Sequence, residues 1–308
     1  MATTNMRTAY GEALVRLGRE NPSIVALEAD LGKSTMSCLF EQAFPERHFE
    51  MGIAEANMAS VAAGLAQTGK IPFIHSFAVF ASGRAYDQIR QTISIGKLNV
   101  KVCGSSSGLS DFGDGATHQA IEDVAIMRAI PNMTVLCPAD ANEAAAMVEA
   151  LVEHRGPCYF RLNRNAYENV TPEGAKFEIG APVVLREGTD VAVFACGILV
   201  KHALEAANML EGELSVKVVN VHTLKPLDEK RIRALAAGCR GVVTAEEHTV
   251  VGGLGSAVAQ AFARERTPIA FVAMRDVFGE SAHCYEDLLK KNHLMPEDIA
   301  RAARDIAK

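Results

Sequence analysis

Several features are missing from this 308-residue chain, and each absence rules something out. No Lys/Arg-rich run occurs, and the formal net charge is −6. Nucleic acid and anionic membrane surfaces are recognised by clustered positive charge, so neither is an expected partner. The longest apolar runs, such as VAVFACGILV at 191–200, fall short of the roughly 20 residues that span a bilayer. The first residues, MATTNMRTAYGEAL, show no charged-then-apolar leader pattern, and a soluble cytoplasmic protein is expected. The seven cysteines stand singly, without a C-x-x-C, and several lie in apolar runs (Cys103, Cys137, Cys196). They read as reduced buried thiols. No internal repeat or low-complexity tract is evident.

What is present is apolar bulk and alternation. Apolar residues make up 49% of the chain, and its length suits two domains of ordinary size. Runs such as SIVALEAD (23–30), KIPFIHSF (70–77), NVKVCGSS (99–106), MTVLCPAD (133–140) and PCYFRLN (157–163) are apolar without alternating. Such runs fit strands of a parallel sheet covered on both faces. Helical patterns fall between them, at 7–20, 54–68, 83–95, 120–129 and 141–153, which predicts a doubly wound α/β domain over 1–165. Residues 166–184 read as a linker. A smaller α/β domain over 185–308 follows, with strands at 189–197, 216–223, 241–247 and 269–274.

Three segments carry chemistry. In FEMGIAEANM, Glu55 sits at a strand-to-helix junction, where a carboxylate can simply serve the helix dipole. SFAVFASGRAYDQIR places Phe77 and Phe80 three residues apart at a strand end, where aromatics are usually core. GDGATHQ (113–119) holds Asp114 and His118, and an isolated histidine is more often a satisfied surface residue than a catalyst.

Taken in order, these segments resemble the pyrimidine-binding half of a transketolase-type thiamine diphosphate site. The resemblance covers nearly the whole chain. It implies that Glu55 bonds N1′ of the cofactor's aminopyrimidine, that Phe77 and Phe80 pack against that ring, that Asp114 contacts substrate hydroxyls, and that His118 lies near the reacting carbonyl. It also implies that Arg7, Ser34 and Arg161 hold the distal phosphate of a sugar, a task suited to the planar donors of arginine. Two departures stand out: Gly83 replaces a frequent tyrosine, and Ser106 replaces a histidine of the phosphate pocket.

GDG followed by Asn142 superficially suggests a cofactor-metal motif, but Glu143 follows Asn142 and THQ follows GDG, so no metal site is assigned to this chain. GGLGSAV (252–258) is only a partial dinucleotide fingerprint. Glu246, Glu247 and His248 are adjacent on a strand end and point in different directions, which argues against a metal cluster. HTLKPLD (222–228) and AEEHTVVGGLGSAV (245–258) resemble the transketolase C-terminal domain, which in the family supports the dimer.

The diphosphate-binding half of such a site needs several hundred further residues. The resemblance therefore implies the C-terminal subunit of a split transketolase, moving a two-carbon ketol unit from a ketose (phosphate) to an aldose (phosphate). Its N-terminal partner subunit would bind the diphosphate with Mg²⁺ or Ca²⁺, in an α2β2 assembly. The rival readings are the β-subunit of a 2-oxoacid dehydrogenase decarboxylating component, a deoxyxylulose-phosphate synthase-like enzyme, and a regulatory pyrimidine-domain relative without activity.

Overall fold

The computed structural model describes residues 3–308. Its strands are β1 (Thr3–Asn5), β2 (Ile24–Glu28), β3 (His48–Glu50), β4 (Ile71–Phe77), β5 (Lys101–Ser105), β6 (Thr134–Leu136), β7 (Cys158–Arg161), β8 (Ala166–Glu168), β9 (Val183–Arg186), β10 (Val191–Ala195), β11 (Val216–Asn220), β12 (Thr223–Lys225), β13 (Gly241–Thr249) and β14 (Ile269–Met274). β2, β5, β7 and β10 are buried at every position, as unalternating apolar runs require when helices cover both faces of a sheet.

A seven-stranded sheet has the order β12-β6-β7-β5-β4-β2-β3. It is parallel throughout except for β12. From β2 the chain goes to β3 on one side and then to β4 on the other, so the strand order reverses there. In open α/β sheets, the crevice at the carboxyl ends of the strands beside such a reversal is where ligands bind. Asp30, Glu55 and Ser106 follow the carboxyl ends of these strands, and Phe77 is the last residue of β4.

The second sheet has the order β14-β13-β10-β11-β9, with only β9 antiparallel. Expectation and structure part at the seam between the two sheets. HTLKPLD was expected within the second domain, yet β12 crosses to the first sheet and pairs antiparallel with β6, Thr223 opposite Leu136. Without it, the edge of β6 would present unpaired backbone groups. The expected linker is also more structured than its polar sequence suggests, because β8 pairs antiparallel with β1. One buried apolar cluster runs from Tyr10 and Phe160 to Val193 and Leu199, so the two units share a core. The helix expected over 83–95 is broken. Helix Ala78–Gly83 ends at Gly83, and a π-helical turn over Ile89–Ser94 keeps Ile89, Ile93 and Ser94 inward.

Candidate active site

Glu55 is the first residue of the helix Glu55–Gln67 and is only 4% exposed. No side chain caps this helix, so the carboxylate itself sits in the field of its first turn. Arg84 Nη1 donates to Glu55 Oε1 at 2.8 Å. Arg84 is about half exposed, and its guanidinium lies 3.9 Å above the Phe80 ring. Phe77 ends β4 and is buried; Phe80 stands one helical turn further on. Their rings are stacked, with centroids 6.0 Å apart and planes 16° from parallel. His118 meets both edge-on, at 5.3 Å from Phe80 and 6.2 Å from Phe77. Thr117 Oγ1 lies 2.9 Å from His118 Nδ1, and Nε2 has no hydrogen-bond partner among the described residues. Asp114 lies four residues earlier and is exposed.

These residues meet the needs of a flat heteroaromatic ring. Phenyl faces supply the stacking surface, and the buried carboxylate of Glu55 supplies a hydrogen-bonding partner for a ring nitrogen. Arg84 now holds both functions at once.

A basic patch adjoins them. Arg7 Nη1 donates to the carbonyl of Ser34 at 2.5 Å, and Asn5 Oδ1 accepts from the Arg7 backbone N–H at 2.9 Å. Arg164 pairs with Asp111 at 2.5 Å, while Asn5 Nδ2 donates to the Arg164 carbonyl. Burial, and then the neighbouring Arg164, lower the pKa of Arg7. Burial raises the Asp111 carboxyl against the pull of Arg164; the charge of Asp114 raises it further and His118 opposes that. Arg7, Arg164, Asp111, Asp114 and His118 are therefore electrostatic neighbours on one surface.

Arg161 corrects the sequence expectation. It is 4% exposed, its Nε lies 3.3 Å from Asp123, and its Nη2 donates to the carbonyls of Ala120 and Glu247. Burial lowers its pKa, but Asp123, with Cys137, Tyr159 and Glu247 adding to it, more than offsets this and the guanidinium stays charged. Its donors face the seam between the domains, so it is spent on internal partners. Arg164, three residues beyond β7, is partly exposed and pairs with Asp111 on the loop that carries Asp114 and His118. Ser106 is likewise fully buried and adopts left-handed backbone, φ 51°.

Sequence reasoning passed over Glu28, which is fully buried behind the cleft and accepts from Thr35, Ser37 and the backbone of Ala29. Burial outweighs these donors and raises its carboxyl to about 7. Beside it, His75 has Nδ1 on the Leu27 carbonyl at 2.9 Å and Nε2 on the Tyr10 hydroxyl at 2.7 Å. Burial lowers it to about 4, so the ring is neutral with its proton on Nδ1, the nitrogen that faces a carbonyl. The signal available in the sequence was the pair of polar residues, Glu28 and His75, at the ends of otherwise apolar strands.

The decoy motifs have local explanations. Glu246 accepts from the backbone N–H groups of Leu254 and Gly255, filling the helix N-terminus that a phosphate would need in a dinucleotide site. Asn142 donates to the Thr171 carbonyl, away from Gly113. Among the described residues, no group of three or more His, Cys, Asp or Glu side chains is placed to hold a metal ion.

Comparison with known proteins identifies the family. Residues 2–169 match the pyrimidine binding domain of transketolase, and residues 180–299 match the transketolase C-terminal domain. The chain belongs to the transketolase family. It is 43% identical to a putative transketolase C-terminal section of Methanocaldococcus jannaschii, over 96% of this chain and 94% of that one. It is 42% identical to the 6-deoxy-6-sulfo-D-fructose transketolase subunit SqwH of a Clostridium species, over 98% and 94%. A split gene transketolase solved as an inactive β4 tetramer superposes with a TM-score of 0.90 at 46% identity, covering 99% of each chain. By contrast, human transketolase is 38% identical over 84% of this chain, which matches only 42% of the human protein. Over nearly its whole length the chain is thus similar to the C-terminal sections and subunits of split transketolases.

Proposed function

We propose that this subunit, joined to an N-terminal subunit in an α2β2 assembly, transfers a two-carbon ketol unit from a ketose to an aldose bearing an anionic terminus. The observation that carries this is the convergence of Glu55, Phe77, Phe80 and His118 on one surface, with Arg7 and Arg164 beside it. Transketolases use thiamine diphosphate, which supplies the nucleophilic carbon and the electron sink when bound. Here Phe77 and Phe80 would hold its pyrimidine ring, and Glu55 would bond the ring nitrogen once Arg84 has moved aside. The diphosphate, with Mg²⁺ or Ca²⁺, falls to the partner subunit.

The substrate roles follow from position. His118 presents a free ring nitrogen beside the phenyl pair, suited to passing a proton to or from a substrate oxygen, a contribution typically of 10²–10⁴ in rate. Asp114 is exposed and can accept from sugar hydroxyls. Arg7 and Arg164 offer planar donors to a phosphate, or to a sulfonate such as the one named for the Clostridium relative. The site needs no membrane, since no helix among the described residues is long and apolar enough to cross one, and a cytoplasmic location is in keeping with free cysteines.

One experiment tests the reading. The chain is assayed with cofactor and Mg²⁺, alone and with its N-terminal subunit, as wild type and as Glu55→Gln. We expect turnover only from the reconstituted pair. We also expect a loss of at least about 10²-fold for Glu55→Gln, accompanied by slower hydrogen–deuterium exchange at C2 of the bound cofactor. Turnover by the chain alone, or an unchanged exchange rate, would overturn it.

A further inference from the structure

The loop bearing Asp114 and His118 is held from the second domain. Gly108 and Ala120 exchange backbone hydrogen bonds, at 2.9 and 3.0 Å, and so close residues 109–119 into a loop. Glu247, near the end of β13, grips that closure: its Oε1 accepts from the Leu109 backbone N–H at 2.8 Å. The approach is close enough that a Cβ on Gly108 (φ 62°) would lie 2.3 Å from the Glu247 carboxyl. Tyr285 donates to Glu247 Oε1 at 2.5 Å, and Asn163 Nδ2 donates to Oε2 at 3.3 Å. The same domain holds the loop at its middle and its exit. The Ala282 N–H donates to the Phe112 carbonyl at 2.8 Å, and Gln119 Nε2 donates to the carbonyls of Asp111 and Glu280.

Its contacts to the second domain run from Leu109 to Gln119, and the first domain adds Arg164 on Asp111 and Asn165 on the Ser110 carbonyl. We propose that Glu247, fixed by Tyr285, is a positioning residue for ketol transfer: it sets His118 and Asp114 against Phe77 and Phe80, so the second domain supports the active site as well as any dimer. The proposal rests on the transferase reading above. Glu247 touches neither the phenyl pair nor Glu55, so disturbing it leaves the ring-binding surface intact while the loop shifts. A displacement of about 1 Å in a reacting group costs on the order of 10²-fold.

The test uses the reconstituted two-subunit enzyme carrying Glu247→Gln, Tyr285→Phe, His118→Ala, and His118→Ala combined with each of the others. Expected for Glu247→Gln is a loss of about tenfold to a hundredfold in kcat/KM for a ketose donor, with affinities for thiamine diphosphate and for the N-terminal subunit within about twofold of wild type. Tyr285→Phe removes the two hydrogen bonds of one hydroxyl, to Glu247 and from Asn163, while keeping the ring and the carboxyl, and it serves as the second variant should Glu247→Gln fail to fold. It is expected to lose about three- to tenfold. On the His118→Ala background both losses should shrink markedly, leaving only the part that passes through Asp114. Losses that add in full to His118→Ala, or that fall in parallel on turnover, cofactor affinity and subunit affinity, would overturn the proposal. If His118→Ala alone left turnover unchanged, the transferase reading itself would fall, and this proposal with it.

Discussion

Two carboxylate–arginine pairs in this molecule look alike in a contact list and differ in what they can do. Glu55–Arg84 lies in the cleft: the carboxylate is buried, but the guanidinium is half exposed and stacked on Phe80. Asp123–Arg161 lies in the seam between domains, where both partners are buried and Tyr159 adds its hydroxyl to Asp123 at 2.6 Å. A ligand can replace the first arginine, since water takes up the released charge. The second cannot be opened without stranding a charge in the core. Exposure of the cation, more than the presence of an ion pair, separates a recognition site from a structural clamp here.

The largest expected effect breaks the clamp. Arg161→Ala strands Asp123 and removes the guanidinium donor from the carbonyls of Glu247 and Ala120, of which Ala120 keeps the Gly108 N–H. Removing one partner of a buried pair typically costs about 3–5 kcal/mol, and denaturant unfolding of the purified subunit should show a loss of that size. A loss under about 1 kcal/mol would mean that the seam repacks and that burial is not the deciding difference.

Next in size is a pH effect in the seam. Burial raises Glu143 to about 7, its hydrogen bonds to Ala139 and Asn220 notwithstanding. The fold therefore favours its protonated form. That contribution is complete below about pH 4.5 and is lost as pH rises to about 7. Glu143→Gln cannot ionise, and Asn220 Oδ1, buried without a partner, can turn to accept from the new amide. Between pH 5 and pH 8 the variant should lose less stability than wild type, by up to about 3 kcal/mol. Parallel pH–stability curves would show that Glu143 is ionised throughout. His222, lowered to about 4 by burial, acts in the other window: its contribution is present above about 6.5 and is lost as pH falls through about 4.

The same contrast explains what could be read in advance. The parallel sheets were legible because fully buried strands leave continuous apolar runs, and the proximity of Glu55, Phe77, Phe80 and His118 was legible because they sit in contiguous motifs. The arginine now proposed for the anionic pocket was not. Arg161 and Arg164 lie three residues apart in FRLNRN, and nothing local says that the first turns into a domain seam formed by Asp123 and Glu247, both remote in sequence. β12 was missed for a related reason: its partner β6 lies nearly ninety positions away and in the other domain. The break in the helix over 83–95 depends on which side of Gly83 the core accepts, which only packing decides.

In the cleft, Arg164→Ala should cost less stability than Arg161→Ala, since the Arg164 guanidinium is partly exposed and water can take its place at Asp111. It should cost about tenfold to a hundredfold in kcat/KM for a sugar with an anionic terminus, the worth of one charge-assisted hydrogen bond or a little more. With an uncharged short ketose the loss should be small. Equal losses for both substrates would make Arg164 structural and return the pocket to Arg7 alone.

The smallest expected effect concerns Arg84, and it sharpens the comparison most. A half-exposed ion pair is worth about 0–1 kcal/mol, so Arg84→Ala should shift unfolding by no more than that. Its consequence should appear in binding. In the free subunit Arg84 occupies both surfaces that the cofactor's pyrimidine ring would use, the Phe80 face and the Glu55 carboxylate. A ring that enters must first displace it, so the affinity of the reconstituted enzyme for thiamine diphosphate contains the cost of parting that pair and of lifting the guanidinium from the phenyl ring. Removing Arg84 removes that cost, and the expected gain is a few-fold in affinity, matching the small worth of an exposed pair. Titration of cofactor into wild-type and Arg84→Ala enzyme measures it directly. A loss of affinity instead would show that Arg84 stays in the occupied site and helps to hold Glu55, and an open pair would then be doing the work of a closed one.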